Sequence, residues 1–242
     1  MIGEKSTTFW PNAYLALVRR PRNIKDYGPS GLLLEWEAKI DPAILRGVTA
    51  YASSLRRREG IVECVPAYAS LLVTVSHDRD RWREELYDLS VEGGDSSEGE
   101  SHHLPVCYGG RYGPDLQEVC RQTGLSEAEV TRLHASAEYL VYMIGYRPGF
   151  AFLGGLAEEL SVRRRPTPRP RVAAGAVGLA GGQTGIYPTA CPGGWQLIGH
   201  CPLPMIGPDG SCRLAAGDRV RFRPVEERAV TQEIQADRWP QR

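Results

Sequence analysis

Between residues 145 and 205 the chain reads GYRPGFAFLGGLAEELSVRRRPTPRPRVAAGAVGLAGGQTGIYPTACPGGWQLIGHCPLPM, and this stretch decides the predicted fold. Neither the period of a helix nor the alternation of a strand runs through it. Glycine costs backbone entropy on folding, and a segment this rich in glycine would ordinarily stay disordered. Apolar side chains supply the surface that orders it, namely Phe150, Phe152, Tyr187, Trp195, Leu197 and Ile198. Two interpretations follow: a β-barrel with tight glycine corners, or a surface site built largely from main chain.

The sequence on either side of this stretch predicts the other elements of a C-terminal barrel domain. Strand-forming residues occupy 104–108 and 139–144, and residues 218–224 alternate in polarity as a half-buried strand does. Helices are predicted at 115–122 and after Ser126, where Glu129 completes the form of a capping box. Many short strands with glycine corners indicate a closed barrel.

The N-terminal part has a different pattern, in which short strands are interspersed with helices. Asp41 and Pro42 are good residues for starting a helix, and apolar residues follow at helical spacing until Gly60. The remaining elements are strands at 13–18, 31–36, 61–65 and 71–75 and a helix at 79–89. The order ββαββα predicts an open sheet with helices on one face.

A polar, acidic and glycine-rich segment, EGGDSSEGES at 92–101, lies between the two parts. Its composition is typical of a linker. The predicted fold class is therefore α+β, with a small open-sheet α/β domain at residues 1–95 and a β-barrel domain at residues 96–242.

Composition limits the classes of function. The formal net charge of the 242 residues is zero, so a dedicated nucleic-acid binder is not expected. No apolar run reaches the length of a membrane span, and the first residues lack the apolar core of a signal peptide. The six cysteines form no C-x-x-C pair, so neither a disulfide framework nor a metal cluster is predicted. We expect a cytoplasmic protein with no metal or organic cofactor of its own.

Common catalytic motifs are missing from the sequence. It holds no G-x-x-x-x-G-K-[ST] loop and no lysine beyond Lys39, which excludes a self-contained P-loop ATPase. It also holds no G-x-S-x-G elbow and no H-E-x-x-H helix. We therefore expect the chain to do little chemistry alone.

Polar groups of the glycine-rich stretch are the candidates for a site. Gly182, Thr184 and Gly185 belong to a run whose N–H groups could bind a phosphate or a carboxylate, or could simply connect two strands. The side chains of Gln183, Thr184 and Tyr187 can orient an amide or a carboxylate by hydrogen bonds.

Three further features each allow two interpretations. Trp195 could line an apolar site or fill the mouth of the barrel. His134 could serve as an acid or base, or be a packed, hydrogen-bonded residue. The five arginines at 163–171 could hold a phosphate or an acidic partner, or form a solvated loop.

Several blocks of sequence resemble the allophanate hydrolase subunit 1 family, also called the KipI family. The blocks are YRPGF at 146–150, LGGL at 153–156, GQTGIYP at 182–188, PGGWQLIG at 192–199, GIVECVPAY at 60–68, SLLV at 70–73, PVCYGG at 105–110 and GPDL at 113–116. The resemblance covers roughly residues 28 to 225.

The resemblance implies a cyclophilin-like fold for the barrel domain. It further implies the role of the B subunit in a bacterial 5-oxoprolinase, which opens 5-oxoproline to L-glutamate with ATP hydrolysis. The ATP site would be completed by, or located on, a partner. The implied partners are a C-type subunit (allophanate hydrolase subunit 2, or KipA-like), which forms a heteromer with this chain, and an A-type subunit that joins transiently. The family also includes a KipI-type inhibitor of a sensor histidine kinase and a part of urea carboxylases, and both remain alternatives.

Under this resemblance the expected site residues fall into two groups. The expected catalytic residues are Gln183, Tyr187 and His134. The expected substrate-binding residues are Gly182, Thr184, Gly185, Phe150, Phe152, Trp195 and His200.

Two positions depart from the family pattern. Ala176 stands where the family has serine, so a hydroxyl is missing there. His200 stands where the family has arginine, and histidine is a weaker and pH-dependent partner for an anion.

Overall fold

The computed structural model describes residues 18–91 and 99–240 and shows two structural units. Each unit buries a hydrophobic core of its own. The strand predicted at 13–18 and the linker predicted at 92–101 fall largely outside the described residues, and the domain boundary predicted between residues 95 and 96 falls wholly outside them.

The first unit is a four-stranded antiparallel sheet with two helices packed on one face. Its elements are β1 (Asn23–Tyr27), β2 (Gly31–Glu35), α1 (Pro42–Arg56), β3 (Ile61–Pro66), β4 (Ser70–Val75) and α2 (Arg79–Asp88). The strands lie in the order β1-β2-β4-β3. The elements from β2 to α2 agree with the prediction. The sequence did not predict β1, because its residues NIKDY bury only Ile24 and show no apolar alternation.

Helix α1 shows how local sequence fixes this unit. The Asp41 carboxylate accepts a hydrogen bond from the N–H of Ala43 at 2.8 Å, which satisfies one of the donors left free at a helix start. Its apolar face includes Leu55, which is fully buried, and burial of one such side chain contributes about 1.5–3 kcal/mol. The buried hydroxyl of Tyr51 donates to the carbonyl of Leu89 at 3.0 Å and ties α1 to the segment after α2.

The second unit is built around a closed seven-stranded barrel. Its elements are β5 (Ser101–Tyr108), α3 (Leu116–Thr123), α4 (Glu127–Ser136), β6 (Glu138–Ile144), β7 (Ala151–Gly154), β8 (Arg169–Val172), β9 (Ala176–Ala180), β10 (Gln183–Ile186), β11 (Cys191–Gly193), β12 (Gln196–His200), β13 (Arg219–Pro224) and α5 (Val230–Ala236). Around the barrel the strands run β10-β7-β6-β13-β5-β12-β9, while β8 and β11 form a separate two-stranded ribbon. An α+β chain with an open sheet and a closed barrel is the predicted fold class, and the structure confirms it.

Close packing of main chain explains part of the glycine content. A side chain at Gly185 would place its Cβ atom 2.8 Å from the carbonyl oxygen of Ala151 and against the rings of Phe150 and Trp195. Gly154 likewise faces the ring of Tyr142 with no room for a Cβ atom. Glycine at these positions therefore lets neighbouring strands and aromatic rings approach closely.

Helix α4 is fixed at its start and at its end. Ser126 and Glu129 form the predicted capping box, in which the N–H of Ser126 donates to the Glu129 carboxylate at 2.8 Å. At the other end of α4 the hydroxyl of Tyr139 donates to the carbonyl of His134 at 2.8 Å. These contacts hold α4 against the barrel and direct His134 into the barrel interior.

Candidate functional site

The glycine run at 181–185 is a β-hairpin turn followed by a strand. Gly181 and Gly182 connect β9 to β10, with Gln183 paired to Ala180. The N–H of Gly181 donates to the carbonyl of Val162 at 2.7 Å. The structure therefore shows the tight strand connection at this run, with Gly182 exposed at its tip.

The side chain of Gln183 reaches across to the first structural unit. Its Nε2 atom donates to the hydroxyl oxygen of Tyr68, in the β3–β4 turn, at 2.6 Å. The ring of Tyr68 stacks on Tyr142 with centroids 5.9 Å apart and meets Phe152 edge-on at 6.0 Å. Gln183, Phe152 and Tyr68 are half-buried, so the groups that join the two units also face solvent. We call Tyr68, Tyr142, Phe152 and Gln183 the junction.

Hydrogen-bonding groups remain open at the junction. Gln183 has a second Nε2–H and its Oε1 atom, and neither has a partner among the described residues. The hydroxyl proton of Tyr68 also has no acceptor there, since its oxygen is used only to accept from Gln183. The junction therefore presents two donors and one acceptor.

An arginine lies near these groups. Burial raises the pKa of Tyr68, while the hydrogen bond from Gln183 and the positive charge of Arg164 act in the opposite direction. The charge of Arg164 also acts on Tyr187, behind the junction. Arg164 is exposed and forms no ion pair with any carboxylate in residues 18–91 and 99–240. Its charge is thus free to meet an anion.

An aromatic cluster lies behind the junction. Phe150 contacts Phe152, Tyr187 and Trp195 with centroid separations of 4.9, 5.2 and 5.4 Å. Phe150, Tyr187 and Trp195 are buried, and only Phe152 reaches the surface. Trp195 is therefore a packed residue of this cluster, which is separate from the core of the barrel. Ala176 is part of the same cluster, so the family hydroxyl missing at this position would lie among apolar groups.

Tyr187 contributes a buried hydroxyl rather than a surface one. Tyr187 is 1% exposed. Burial raises its pKa to about 12, although the nearby backbone N–H of Trp195 acts against the shift. The hydroxyl is therefore un-ionised near neutral pH.

His134 and Thr184 form a hydrogen-bonded chain inside the barrel. The Nε2 atom of His134 lies 2.9 Å from the hydroxyl of Thr184, which donates to the carbonyl of Gly178 at 3.1 Å. The Nδ1 atom lies 2.6 Å from the hydroxyl of Tyr108. Because Thr184 uses its proton on Gly178, we assign Nε2 as protonated and Nδ1 as the acceptor from Tyr108. His134 is fully buried, and burial lowers its pKa to about 3, so the ring stays neutral.

The structure separates His200 from the other candidate residues. His200 pairs with Ala176 at one end of β9, whereas Gln183 pairs with Ala180 at the other end. Four residues of strand span about 13 Å. The ring of His200 stacks on Tyr112 at 5.3 Å, and burial lowers its pKa. His200 therefore belongs to a different surface from the junction.

Asp115 anchors the arginine-rich segment, a role that the sequence did not reveal. Its Oδ1 atom accepts from Arg165 at 3.0 Å and from Arg169 at 2.7 Å, and its Oδ2 atom accepts from the N–H of Leu197 at 2.7 Å. The Asp115 side chain precedes α3 but makes no capping hydrogen bond to it. Two of the five arginines are thus held against the barrel, while Arg163, Arg164 and Arg171 are exposed.

Two clefts lie on another side of the barrel. The larger encloses about 810 Å³ beside α4, and the smaller encloses about 470 Å³. Tyr108, Thr131 and Pro224 line both of them. None of the candidate residues lines either cleft. The junction, and not a cleft, is where Gln183 and Phe152 come together.

The described residues contain neither a metal-binding cluster nor a helix that could span a membrane. Residues 18–91 and 99–240 hold no group of three or more histidine, cysteine or acidic side chains placed to bind a metal ion. In the same residues no helix has both the length and the apolar composition that a membrane crossing needs.

Comparison with known proteins places the chain in a family. Residues 22–213 match the family model described as carboxyltransferase domain, subdomain C and D. Three curated relatives carry the name of the 5-oxoprolinase B subunit. The relative from Bacillus subtilis (strain 168) is 36% identical and covers 85% of this chain and 93% of its own length. The relative from Escherichia coli O157:H7 is 39% identical, and the match covers 83% of this chain and 94% of that relative.

Solved structures agree with this placement. A crystal structure of TTHA0988 is 35% identical with a TM-score of 0.72, and the match covers 87% of this chain and 41% of that one. This chain therefore spans about two fifths of the TTHA0988 chain. The Kluyveromyces lactis urea carboxylase, at 19% identity and a TM-score of 0.65, matches 97% of this chain and 25% of its own and shares the fold.

Proposed function

The chain belongs to the carboxyltransferase domain C and D family that includes the 5-oxoprolinase B subunits, and we propose that it is itself the B subunit of a 5-oxoprolinase. The proposed reaction is the ring opening of 5-oxoproline to L-glutamate, coupled to ATP hydrolysis. The observation that carries the proposal is the 36% and 39% identity to the Bacillus subtilis and Escherichia coli B subunits over nearly their whole length. The name of those relatives implies a complex of several subunits.

The chemistry explains why ATP is needed and why this chain does not act alone. An unstrained lactam is a poor electrophile, and transfer of a phosphoryl group from ATP to its oxygen would activate the ring carbon toward water. Hydrogen-bond donors aimed at the developing charge would lower the barrier further. Since the sequence holds no P-loop, we place the ATP site on a partner or at the contact with one.

The residues of the junction provide the substrate contacts in this proposal. Gln183 has an open amide edge at the surface, and Phe152 offers an apolar face beside it. Thr184, Tyr187 and His134 lie behind them and fix the strand that carries Gln183. The proposed roles are therefore contact for Gln183 and Phe152, and positioning for the buried residues.

The proposed partners are a C-type subunit in a stable heteromer and an A-type subunit that joins transiently in the cytoplasm. Copurification of the chain with its C-type homologue, followed by an ATPase assay with the A-type homologue, tests this. We expect ATP hydrolysis that depends on 5-oxoproline and releases glutamate. Assembly without such hydrolysis would contradict the proposal, and inhibition of a sensor histidine kinase would then favour the KipI-type alternative.

A further inference from the structure

The junction carries hydrogen-bonding groups that fit one class of ligand. We propose that Gln183, Tyr68 and Arg164 bind a cyclic amide that bears a carboxylate, with the Gln183 carboxamide on the ring amide and Arg164 on the carboxylate. This rests on the proposed function and specifies where, and by which groups, this chain would hold the substrate.

The amide edge of a lactam matches the edge of a carboxamide. A five-membered ring forces its amide into the cis form, so the N–H and the C=O lie side by side on one edge. A carboxamide has the same pair of groups on its own edge, as donor and acceptor. Gln183 still has one Nε2–H and its Oε1 atom available after it donates to Tyr68. Two antiparallel hydrogen bonds can therefore join Gln183 to the ring amide.

Tyr68 sets the orientation of that edge. The 2.6 Å hydrogen bond from Nε2 of Gln183 to the hydroxyl of Tyr68 holds the amide with its nitrogen toward Tyr68. Stacking on Tyr142 and contact with Phe152 hold the Tyr68 ring in place. The hydroxyl proton of Tyr68 has no acceptor among the described residues and is available to a second acceptor of the ligand. Tyr68 thus acts both as a positioning residue and as a donor.

Arg164 supplies the charge that a carboxylate requires. Its place follows from the main chain, because Val162 pairs with Gly181 and Arg165 donates to the carbonyl of Gly194 at 2.8 Å. Arg164 lies between these two contacts, beside the hairpin that carries Gln183. It forms no ion pair within residues 18–91 and 99–240, unlike Arg165 and Arg169, which are bound to Asp115. A guanidinium without an ion-pair partner can bind a carboxylate in bidentate geometry, through two parallel hydrogen bonds.

Arg163 provides a matched control within the same segment. It is exposed like Arg164 and is its neighbour in the chain. Its backbone contacts, to Gln122 and Gln196, use main-chain atoms and survive a change of side chain. Arg163→Ala therefore removes the same charge from the same segment without removing the proposed carboxylate partner.

Steady-state kinetics on the complete complex tests the inference. Arg164→Ala should raise the KM for 5-oxoproline roughly 10- to 100-fold, the effect of losing a charged hydrogen bond, with little change in kcat. Arg163→Ala should leave both constants unchanged. Inhibition by 2-pyrrolidinone, a lactam without a carboxylate, should be equally strong in the wild type and in Arg164→Ala, but weaker in Gln183→Met.

A binding measurement on the same complexes separates the inference from the proposed function. Calorimetric titration of the complex with 5-oxoproline does not depend on turnover. Wild-type turnover together with equal KM values in Arg164→Ala and Arg163→Ala overturns the site and leaves the proposed function intact. Absence of turnover together with binding that Arg164→Ala weakens overturns the function and supports the site. Absence of binding to the wild-type complex overturns the site.

Discussion

The Nε2 atom of Gln183 lies 2.6 Å from the hydroxyl of Tyr68, and the two residues belong to different structural units. Gln183, which the glycine-rich stretch predicted as a site residue, is therefore oriented by Tyr68 in a turn of the N-terminal sheet. The stacked rings of Tyr68 and Tyr142 make the same connection through apolar surface. Any function of Gln183 consequently depends on how the two units dock.

The first prediction measures this connection by a double-mutant cycle. Tyr68→Phe keeps the ring and removes the hydroxyl, while Gln183→Ala removes the amide. A hydrogen bond of this kind contributes about 0.5–1.5 kcal/mol, so the two changes together should cost less than their sum by about that amount. Urea unfolding of the four proteins gives the coupling. Strict additivity would show that the hydrogen bond does not stabilise the docked arrangement.

The second prediction concerns stability against pH and rests on His134. Its pKa is about 3 in the folded protein, below the ordinary value near 6.5 that it has when unfolded. Between these values the unfolded chain binds a proton that the folded chain does not, so stability falls as the pH drops below about 6.5. The slope from this residue should approach roughly 1.4 kcal/mol per pH unit.

Denaturant unfolding between pH 5 and pH 8 checks the effect of His134. His134→Gln removes the titrating group and keeps an amide that can hydrogen-bond to Tyr108 or Thr184. The variant should be less stable at pH 8 but should show a flatter dependence on pH than the wild type. An unchanged slope in the variant would assign the pH dependence to other groups.

The third prediction concerns Asp115. Asp115→Ala would leave Arg165 and Arg169 without their carboxylate and the N–H of Leu197 without its acceptor. We expect a loss of about 2–4 kcal/mol in unfolding free energy, since partly buried charges would be left unpaired. Glu118→Ala, on the exposed face of α3, is the control and should change stability little. Faster trypsin cleavage at 163–171 in Asp115→Ala alone would locate the effect, and equal stability of both variants would contradict it.

Patterns among neighbouring residues predicted helices and strands correctly. They could not predict contacts between residues that are far apart in the sequence. The capping box at Ser126, the start of α1 at Asp41 and the strand at 219–224 follow from residues close in sequence, and all three are present. Closure of a barrel was expected from glycine corners and is confirmed.

The candidate site was predicted less completely than the fold. Tyr68 lies 115 residues before Gln183, and no local pattern links the two. An aromatic residue in the turn before β4 was the one signal that the sequence offered. The role of His134 could not be assigned from the sequence, since a packed, hydrogen-bonded histidine and an acid or base fit the same position. Asp115 was predicted as the first residue of a helix, and only the fold shows that its carboxylate bonds to Arg165 and Arg169.

The fourth prediction contrasts two aromatic residues in assembly. Trp195 is buried in the aromatic cluster, so Trp195→Ala should destabilise the chain by about 3–5 kcal/mol and should reduce assembly only through loss of folded protein. Tyr146 is 59% exposed, has a positive φ of 65° and donates to the carbonyl of Pro192 at 2.6 Å. Uncommon backbone conformations are concentrated at functional sites, and tyrosine is enriched among the hot spots of interfaces.

Copurification with the C-type homologue distinguishes Tyr146 from Trp195. Tyr146→Ala should leave the unfolding midpoint nearly unchanged and should weaken assembly at least tenfold if the residue is an interface anchor. Tyr27→Ala, which removes an exposed tyrosine from the sheet unit, is the matched control. Normal assembly of Tyr146→Ala would remove this residue from the interface.

The last prediction separates contact with the substrate from support of the site. In the reconstituted complex Gln183→Ala should lower turnover roughly 100- to 1,000-fold, the usual effect of losing one donor that stabilises developing charge. Tyr187→Phe should behave differently, because its hydroxyl is buried beside the backbone N–H of Trp195 and does not reach the surface. Loss of this buried polar group should cost about 1–3 kcal/mol in stability, with near-normal turnover per folded complex. Stability and turnover are measured on the same preparations, by calorimetric unfolding and by glutamate release.

If Gln183→Ala turns over at the wild-type rate in a fully assembled complex, the junction is not where the lactam reacts. If Tyr187→Phe loses turnover without losing stability, its hydroxyl acts on the substrate, and the aromatic cluster must open during the reaction.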